Sequence, residues 1–379
     1  MQLSDIEDKV RAGIPLDLQD GVDLFQHPNL LDVGRLANQV RERLHGQRTY
    51  FNRNLHINAT NVCVASCRFC SFARLRPGDA GAYTMTLDEA WNKLRGRLAA
   101  RDPVTEIHIV NGLHDGLPFS YYTDLLAGLR RIHPTVHLKA FTAVEIFFFH
   151  RHYRMPIAEV LGQLRAAGLD SLPGGGAEIF AERVRRKICP DKCNADEWLE
   201  VHRIAHRLGL RSNCTMLYGH IETAEERVQH LLRLRALQEE TGGFQTFIPL
   251  AFHPDGNDLR KLPGPTGVDD LRTFAVARLL LHNIPHLKAY WVMLGLKTAQ
   301  TAQWFGADDI DGTVQEERIY HMAGAETPQG LSLAELVYLI ERAGRVPVER
   351  DTLYNVVAEG SALVPKRPFR RSLLEEALR

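Results

Sequence analysis

The stretch HINATNVCVASCRFCSF (56–72) carries three cysteines within eight residues, Cys63, Cys67 and Cys70. They follow a short apolar run, 55–62, that reads as a β-strand. If that strand belongs to a parallel barrel, the loop after it lies at the C-terminal mouth, where barrel active sites sit. The spacing Cys-x3-Cys-x2-Cys puts three thiolates on one tight loop. Such a set suits a cubane iron–sulfur cluster, one cysteine to each of three irons. The fourth iron is then open to chelation by an amine and a carboxylate. A structural zinc would need four ligands in paired spacings, and no partner pair follows nearby.

Working outward, seven more short runs read as strands: 105–111, 136–142, 169–172, 211–217, 245–251, 286–293 and 307–310. Helical patterns alternate with them. The segment 86–100 opens with a capping box, Thr86 to Glu89, in which side chain and backbone satisfy each other's free donors. Further helices are expected at 118–132, 156–167, 195–208, 223–240 (box Thr223 to Glu226), 266–281, 297–305 and 332–343. Eight strands alternating with helices predict an α/β fold, a closed (β/α)8 TIM-type barrel with an N-terminal helical extension. An open doubly wound sheet is the alternative, but its G-x-G-x-x-G signature is absent. The expected organisation is a helical segment 1–50, a barrel 51–364 and a charged tail 365–379.

Composition narrows the function. The 46 Lys and Arg residues balance 46 Asp and Glu, so nothing favours electrostatic binding of nucleic acid. No apolar run approaches the ~20 residues of a membrane span. The N-terminus MQLSDIEDKVRAG lacks an apolar signal core. A cytoplasmic protein with reduced thiols is therefore expected. Cys189, Cys193 and Cys214 read as free thiols. The segment HRIAH (202–206) lacks the glutamate of a zinc-binding H-E-x-x-H and reads as a solvated helix face. The basic run RVRRK (183–187) reads as a helix end favoured by the dipole.

With Phe69 before its last cysteine, the loop resembles that of the radical S-adenosylmethionine superfamily. The resemblance implies a [4Fe–4S] cluster on Cys63, Cys67 and Cys70, with Phe69 packed beside it. S-adenosylmethionine is then a co-substrate, chelated by its amine and carboxylate and cleaved to a 5′-deoxyadenosyl radical. Cluster and co-substrate carry the hard chemistry, and the protein orients them in a dry cavity. The loop after the second strand reads Asn111-Gly112-Leu113-His114 and lacks the superfamily's usual acid, so main-chain carbonyls or His114 are the candidates for the methionine amine. Glu178, after the glycines of SLPGGGAEIF, is the candidate for the ribose. Thr142, Glu145 and Tyr218 end other strands and are expected at the cofactor's rim.

Longer blocks are more specific. KAFTAVEI, GLDSLPGGGAEIF, VRRKICPDK, TMLYGHIET, FIPLAFHP, IPHLKAYWVMLG, FGADDIDGT and GRVPVERDTLYNVV together resemble the aminofutalosine synthase family of menaquinone biosynthesis, over about 56–357. The resemblance implies a substrate, 3-[(1-carboxyvinyl)oxy]benzoate. The adenosyl radical adds to its enolpyruvyl CH2, the aryl group migrates from oxygen to carbon, and CO2 or bicarbonate leaves, giving 6-amino-6-deoxyfutalosine. Two substrate carboxylates in a dry pocket need cations or several donors. His56, Lys139, His220, His253 and Arg350 are candidates by position. A reductant such as flavodoxin or ferredoxin is the implied partner, with no role for nucleic acid or membrane. Cyclic dehypoxanthinyl futalosine synthase and the deazaflavin-forming enzymes share the loop and form the alternative. A non-catalytic metal-binding barrel protein is the alternative of another class.

Overall fold

Three helices, Leu3–Ala12, Leu18–Gln26 and Leu30–His45, open the chain in this computed structural model, which describes residues 3–363. The tail expected at 365–379 lies outside the described residues. Asp17 and Asn29 cap the second and third helices, each accepting a backbone N–H of the first turn. The third stops at Gly46, whose φ of 57° suits a residue without Cβ. Strand β1 (Arg48–Asn52) follows at once and straddles the boundary expected at residue 50.

The barrel strands come next: β2 (Asn54–Ile57), β3 (Glu106–Ile109), β4 (His137–Ala140), β5 (Ser171–Leu172), β6 (Arg211–Tyr218), β7 (Phe244–Ala251) and β8 (His286–Leu287). They pair in that order, each parallel to the next, as helical crossovers require. The eighth position is filled by β9 (Asp309–Gly312) and the residues after it. Lys288 bridges to Asp309 on one side, and Leu55 bridges to Gln315 on the other. Ala289 N–H donates to Asp309 O at 2.7 Å and His56 N–H to Gln315 O at 2.8 Å. Seven of the eight expected strands therefore lie in one curled parallel sheet, and β9, a strand of a second sheet, meets its two edges through single bridges.

A second sheet runs β11-β10-β1-β9, with β10 (Val346–Arg350) and β11 (Val356–Glu359). Its turn 351–355 lies across the N-terminal ends of the barrel strands. There the Thr352 hydroxyl donates to Glu106 Oε2 at 2.8 Å, and Gln245 Nε2 donates to Thr352 O at 3.2 Å.

Several expected boundaries shift for local reasons. The run 55–62 leaves the sheet at Ile57, because Asn58 and Asn61 side chains bond the backbone of neighbouring loops instead. The run 286–293 yields two strand residues, then one helical turn, Trp291–Leu294. A helix the sequence reading lacked, Ala143–His152, begins at a Thr142–Glu145 capping box. His202 is no solvated residue: it is fully buried, and its Nδ1 meets Ser212 Oγ at 2.9 Å. Among the described residues, no helix is long and apolar enough to cross a membrane.

Candidate active site

The cysteine loop is tied down from three sides. Cys63 N–H donates to Arg74 O at 2.8 Å, Val64 N–H to Leu113 O at 2.9 Å, and Arg68 N–H to Ile188 O at 2.8 Å. Gly112, after β3, donates its N–H to Thr60 O at 2.8 Å. A Cβ on Gly112 would stand 2.3 Å from Val62 O, so only glycine lets the two loops meet. Cys63, Cys67, Phe69 and Cys70 all line one cavity of about 250 Å³ at the C-terminal ends of the strands.

The donor set fits an iron–sulfur cluster. Burial pushes the Cys63 and Cys67 thiols above their ordinary range. A buried thiol of this kind ionises when a metal takes the place of its proton. The three soft ligands sit on one short loop, held by its backbone and by the Ser66 and Arg68 side chains, and the thiols face the cavity.

Opposite the loop stands Glu178, in a left-handed conformation with φ 49°. Its Oε1 accepts from Lys192 Nζ at 2.5 Å, and Lys192 also lies over the Phe69 ring, 5.2 Å from the centroid. Gly174 lets this segment approach β6, since a Cβ there would fall 2.6 Å from the Asn213 backbone. Thr142 and Glu145 also line the cavity, but Glu145 has its oxygens occupied. Oε1 accepts from Asn111 N and Nδ2 at 3.0 and 3.3 Å, and Oε2 from Thr142 N and Oγ1 at 2.8 and 2.9 Å. Burial pushes Glu145 up to about 7 against the pull of these donors.

At the inner end, His56 stacks on His108, with centroids 4.7 Å apart and planes 5° apart. Burial drives His56 down to about 3, so it is neutral, and its Nε2 has no hydrogen-bond partner among the described residues. His253 lines the cavity with its Nε2 on Met293 O at 2.9 Å.

Five sequence candidates lie away from the cavity wall, each engaged elsewhere. His114 accepts Gly116 N–H at 3.0 Å and shapes a turn. The Tyr218 hydroxyl donates to Asp270 at 2.7 Å, toward helix Gly267–Leu280. Lys139 Nζ donates to Glu106 at 2.8 Å, and Arg350 Nε to Asp309 at 2.7 Å, in a buried ionic layer beneath the cavity. His220 Nδ1 stands 2.9 Å from Glu222, and its Nε2 meets Leu217 O at 3.1 Å. Sequence reasoning missed Lys192, His108, Asn213, Tyr290 and Tyr320, all in the lining. Lys192 falls between Cys189 and Cys193, which read as free thiols and so drew no attention to the segment.

Barrel, mouth and three-cysteine loop together define a radical S-adenosylmethionine enzyme, and the "Radical SAM superfamily" description matches residues 57–234. That of the "CofH/MqnC C-terminal region" matches 241–362. Methylornithine synthase has the same fold, with a TM-score of 0.70 at 17% identity, covering 90% of this chain and 96% of that one. Aminodeoxyfutalosine synthase of Thermus thermophilus is 52% identical over 362 residues, covering 94% of this chain and 96% of its own. The Streptomyces coelicolor enzyme of that name is 46% identical over 374 residues, covering 96% of each. The chain belongs to the aminodeoxyfutalosine synthase family.

Proposed function

We propose that the chain joins the 5′-deoxyadenosyl group of S-adenosylmethionine to 3-[(1-carboxyvinyl)oxy]benzoate. Aryl migration and loss of CO2 or bicarbonate then give 6-amino-6-deoxyfutalosine. The observation that carries this reading is the likeness to aminodeoxyfutalosine synthases over nearly the whole chain, together with a single cavity that gathers the three cysteines. When bound, a [4Fe–4S] cluster supplies the electron that cleaves S-adenosylmethionine. Cys63, Cys67 and Cys70 hold it. Phe69 packs beside it, and Glu178 accepts the ribose hydroxyls through the oxygen that Lys192 leaves free. With Glu145 committed to Asn111 and Thr142, main-chain carbonyls of the 111–113 loop serve the methionine amine.

The inner end of the cavity takes the benzoate. Of the five clamp candidates, His56 and His253 line the cavity, His56 on β2 and His253 just past the C-terminal end of β7. Neutral His56, whose Nε2 is unpartnered, offers a directional N–H donor to a carboxylate at little desolvation cost. Apolar walls from Leu217, Ile248 and Leu250 exclude water from reactive carbon radicals. His56→Ala and His253→Ala are expected to raise KM for the benzoate severalfold with iron content unchanged. Unchanged KM in both would sink the clamp. The chain works in the cytoplasm, where a flavodoxin or ferredoxin supplies the electron.

The deciding experiment is anaerobic turnover of reconstituted protein with dithionite, S-adenosylmethionine and the enolpyruvyl benzoate, read by mass spectrometry. A product containing both adenosine and benzoate, absent in Cys67→Ala, supports the reading. Free 5′-deoxyadenosine without adduct would move the substrate to a neighbouring family. No cleavage of S-adenosylmethionine by cluster-loaded protein would overturn catalysis.

A further inference from the structure

The loop 188–192 touches the cysteine loop in three ways. Ile188 O accepts Arg68 N–H at 2.8 Å, Asp191 Oδ2 accepts Ser66 N–H at 3.1 Å, and Lys192 reaches over Phe69. The first two contacts fix the backbone beside Lys192. The Glu178 carboxylate, 2.5 Å from Nζ, fixes its head. The ammonium is thus a held charge. Only 14% of the Lys192 side chain is exposed, so water screens it poorly. Its counter-charge is the Glu178 carboxylate in direct contact with it.

We propose that Lys192 is a positioning charge that raises the electron affinity of the iron–sulfur cluster. This rests on the reading that Cys63, Cys67 and Cys70 hold one. Three thiolates on an oxidised [4Fe–4S]2+ core give a net charge of −1, and one added electron makes it −2. A fixed cation in a poorly screened site attracts the second state more than the first. Glu178 opposes it, so the pair sets the field by difference. The step is the transfer of one electron from a low-potential one-electron donor into the oxidised core, with no bond formed or broken and no proton taken up.

The test is an anaerobic EPR redox titration of reconstituted enzyme without S-adenosylmethionine, with dithionite as reductant. It compares the parent protein with Lys192→Met, Lys192→Arg and Glu178→Gln. At the parent's midpoint, Lys192→Met should lower the ratio of reduced to oxidised cluster at least about tenfold, which is about 59 mV for a one-electron couple. Lys192→Arg should stay near the parent, and Glu178→Gln should move the opposite way. A merely structural pair would not give shifts of opposite sign. Coincident midpoints at equal iron and sulfide content overturn the proposal, as does a Glu178→Gln shift in the same direction as Lys192→Met. If Lys192→Met fails to load, the sign from Glu178→Gln decides. Parent protein that takes up no iron overturns the cluster reading itself.

Discussion

At the scale of single residues, the site depends on close approaches that tolerate no added atom. Gly112→Ala would drive a methyl group into the Val62 carbonyl, 2.3 Å away, one residue before Cys63. Backbone cannot yield as a flexible side chain can. Iron bound per chain after reconstitution should fall severalfold while far-ultraviolet circular dichroism is unchanged, and full loading would refute this. Glu222 makes a second case. Burial pushes its carboxyl up, but His220, Arg227 and the Gly219 N–H overcome this and bring it down to about 2. Its ordinary value is 4.5. A carboxylate depressed on folding stabilises the protein above its unfolded pKa, and that stability is lost as the pH falls through the folded value. The contribution is about 3 kcal/mol, fading as pH falls from about 4.5 toward 2. Glu222→Gln should therefore flatten the pH dependence of unfolding over that window, and an unaltered slope would refute the assignment.

At the scale of elements, helix starts were the most legible feature, because a capping box is a local pattern of two residues and a backbone. Thr86–Glu89 and Thr223–Glu226 cap the helices expected of them. Thr142–Glu145 is the same device, but its position after a strand made both residues read as polar groups of the barrel mouth. Pro347 argues against a strand at 346–350, yet β10 lies between β11 and β1. β1 was hidden by its closeness to β2, from which only Arg53 separates it. The cysteines were legible for the same local reason as the caps. Lys192 was not, because its partner Glu178 is fourteen residues away and meets it only in the fold. Packing between elements makes its own prediction. Helices Leu87–Ala99 and Phe119–Ile132 meet where the Trp91 ring covers Gly128, and a Cβ there would lie 2.1 Å from the ring. Gly128→Ala should cost about 1–3 kcal/mol by overpacking. Thermal unfolding would show a Tm several degrees lower, and an unshifted Tm would show that the Trp91 ring gives way freely.

At the scale of the whole molecule, Asp308 joins parts far apart in sequence. Its Oδ1 accepts from Arg278 Nη2 at 2.5 Å and Leu287 N–H at 2.7 Å. Its Oδ2 meets His286 at 2.6 Å and lies 3.5 Å from His45, at the end of the N-terminal helices. Asp308→Asn would leave the buried Arg278 guanidinium without its counter-charge, at about 3–5 kcal/mol. The midpoint of denaturant unfolding should drop accordingly, and an unchanged midpoint would mean that the helices hold without this latch. The ionic layer beneath His56 has a different consequence. Glu106 there binds Lys139 and Thr352, and Asp309 binds Arg350, so the cavity is a blind pouch. Two reactants sharing a blind pouch cannot pass one another. On the proposed reading, the benzoate that occupies the inner end must arrive before S-adenosylmethionine seals the pouch, and methionine must depart before the joined product can. The enzyme's kinetics are then those of a compulsory queue.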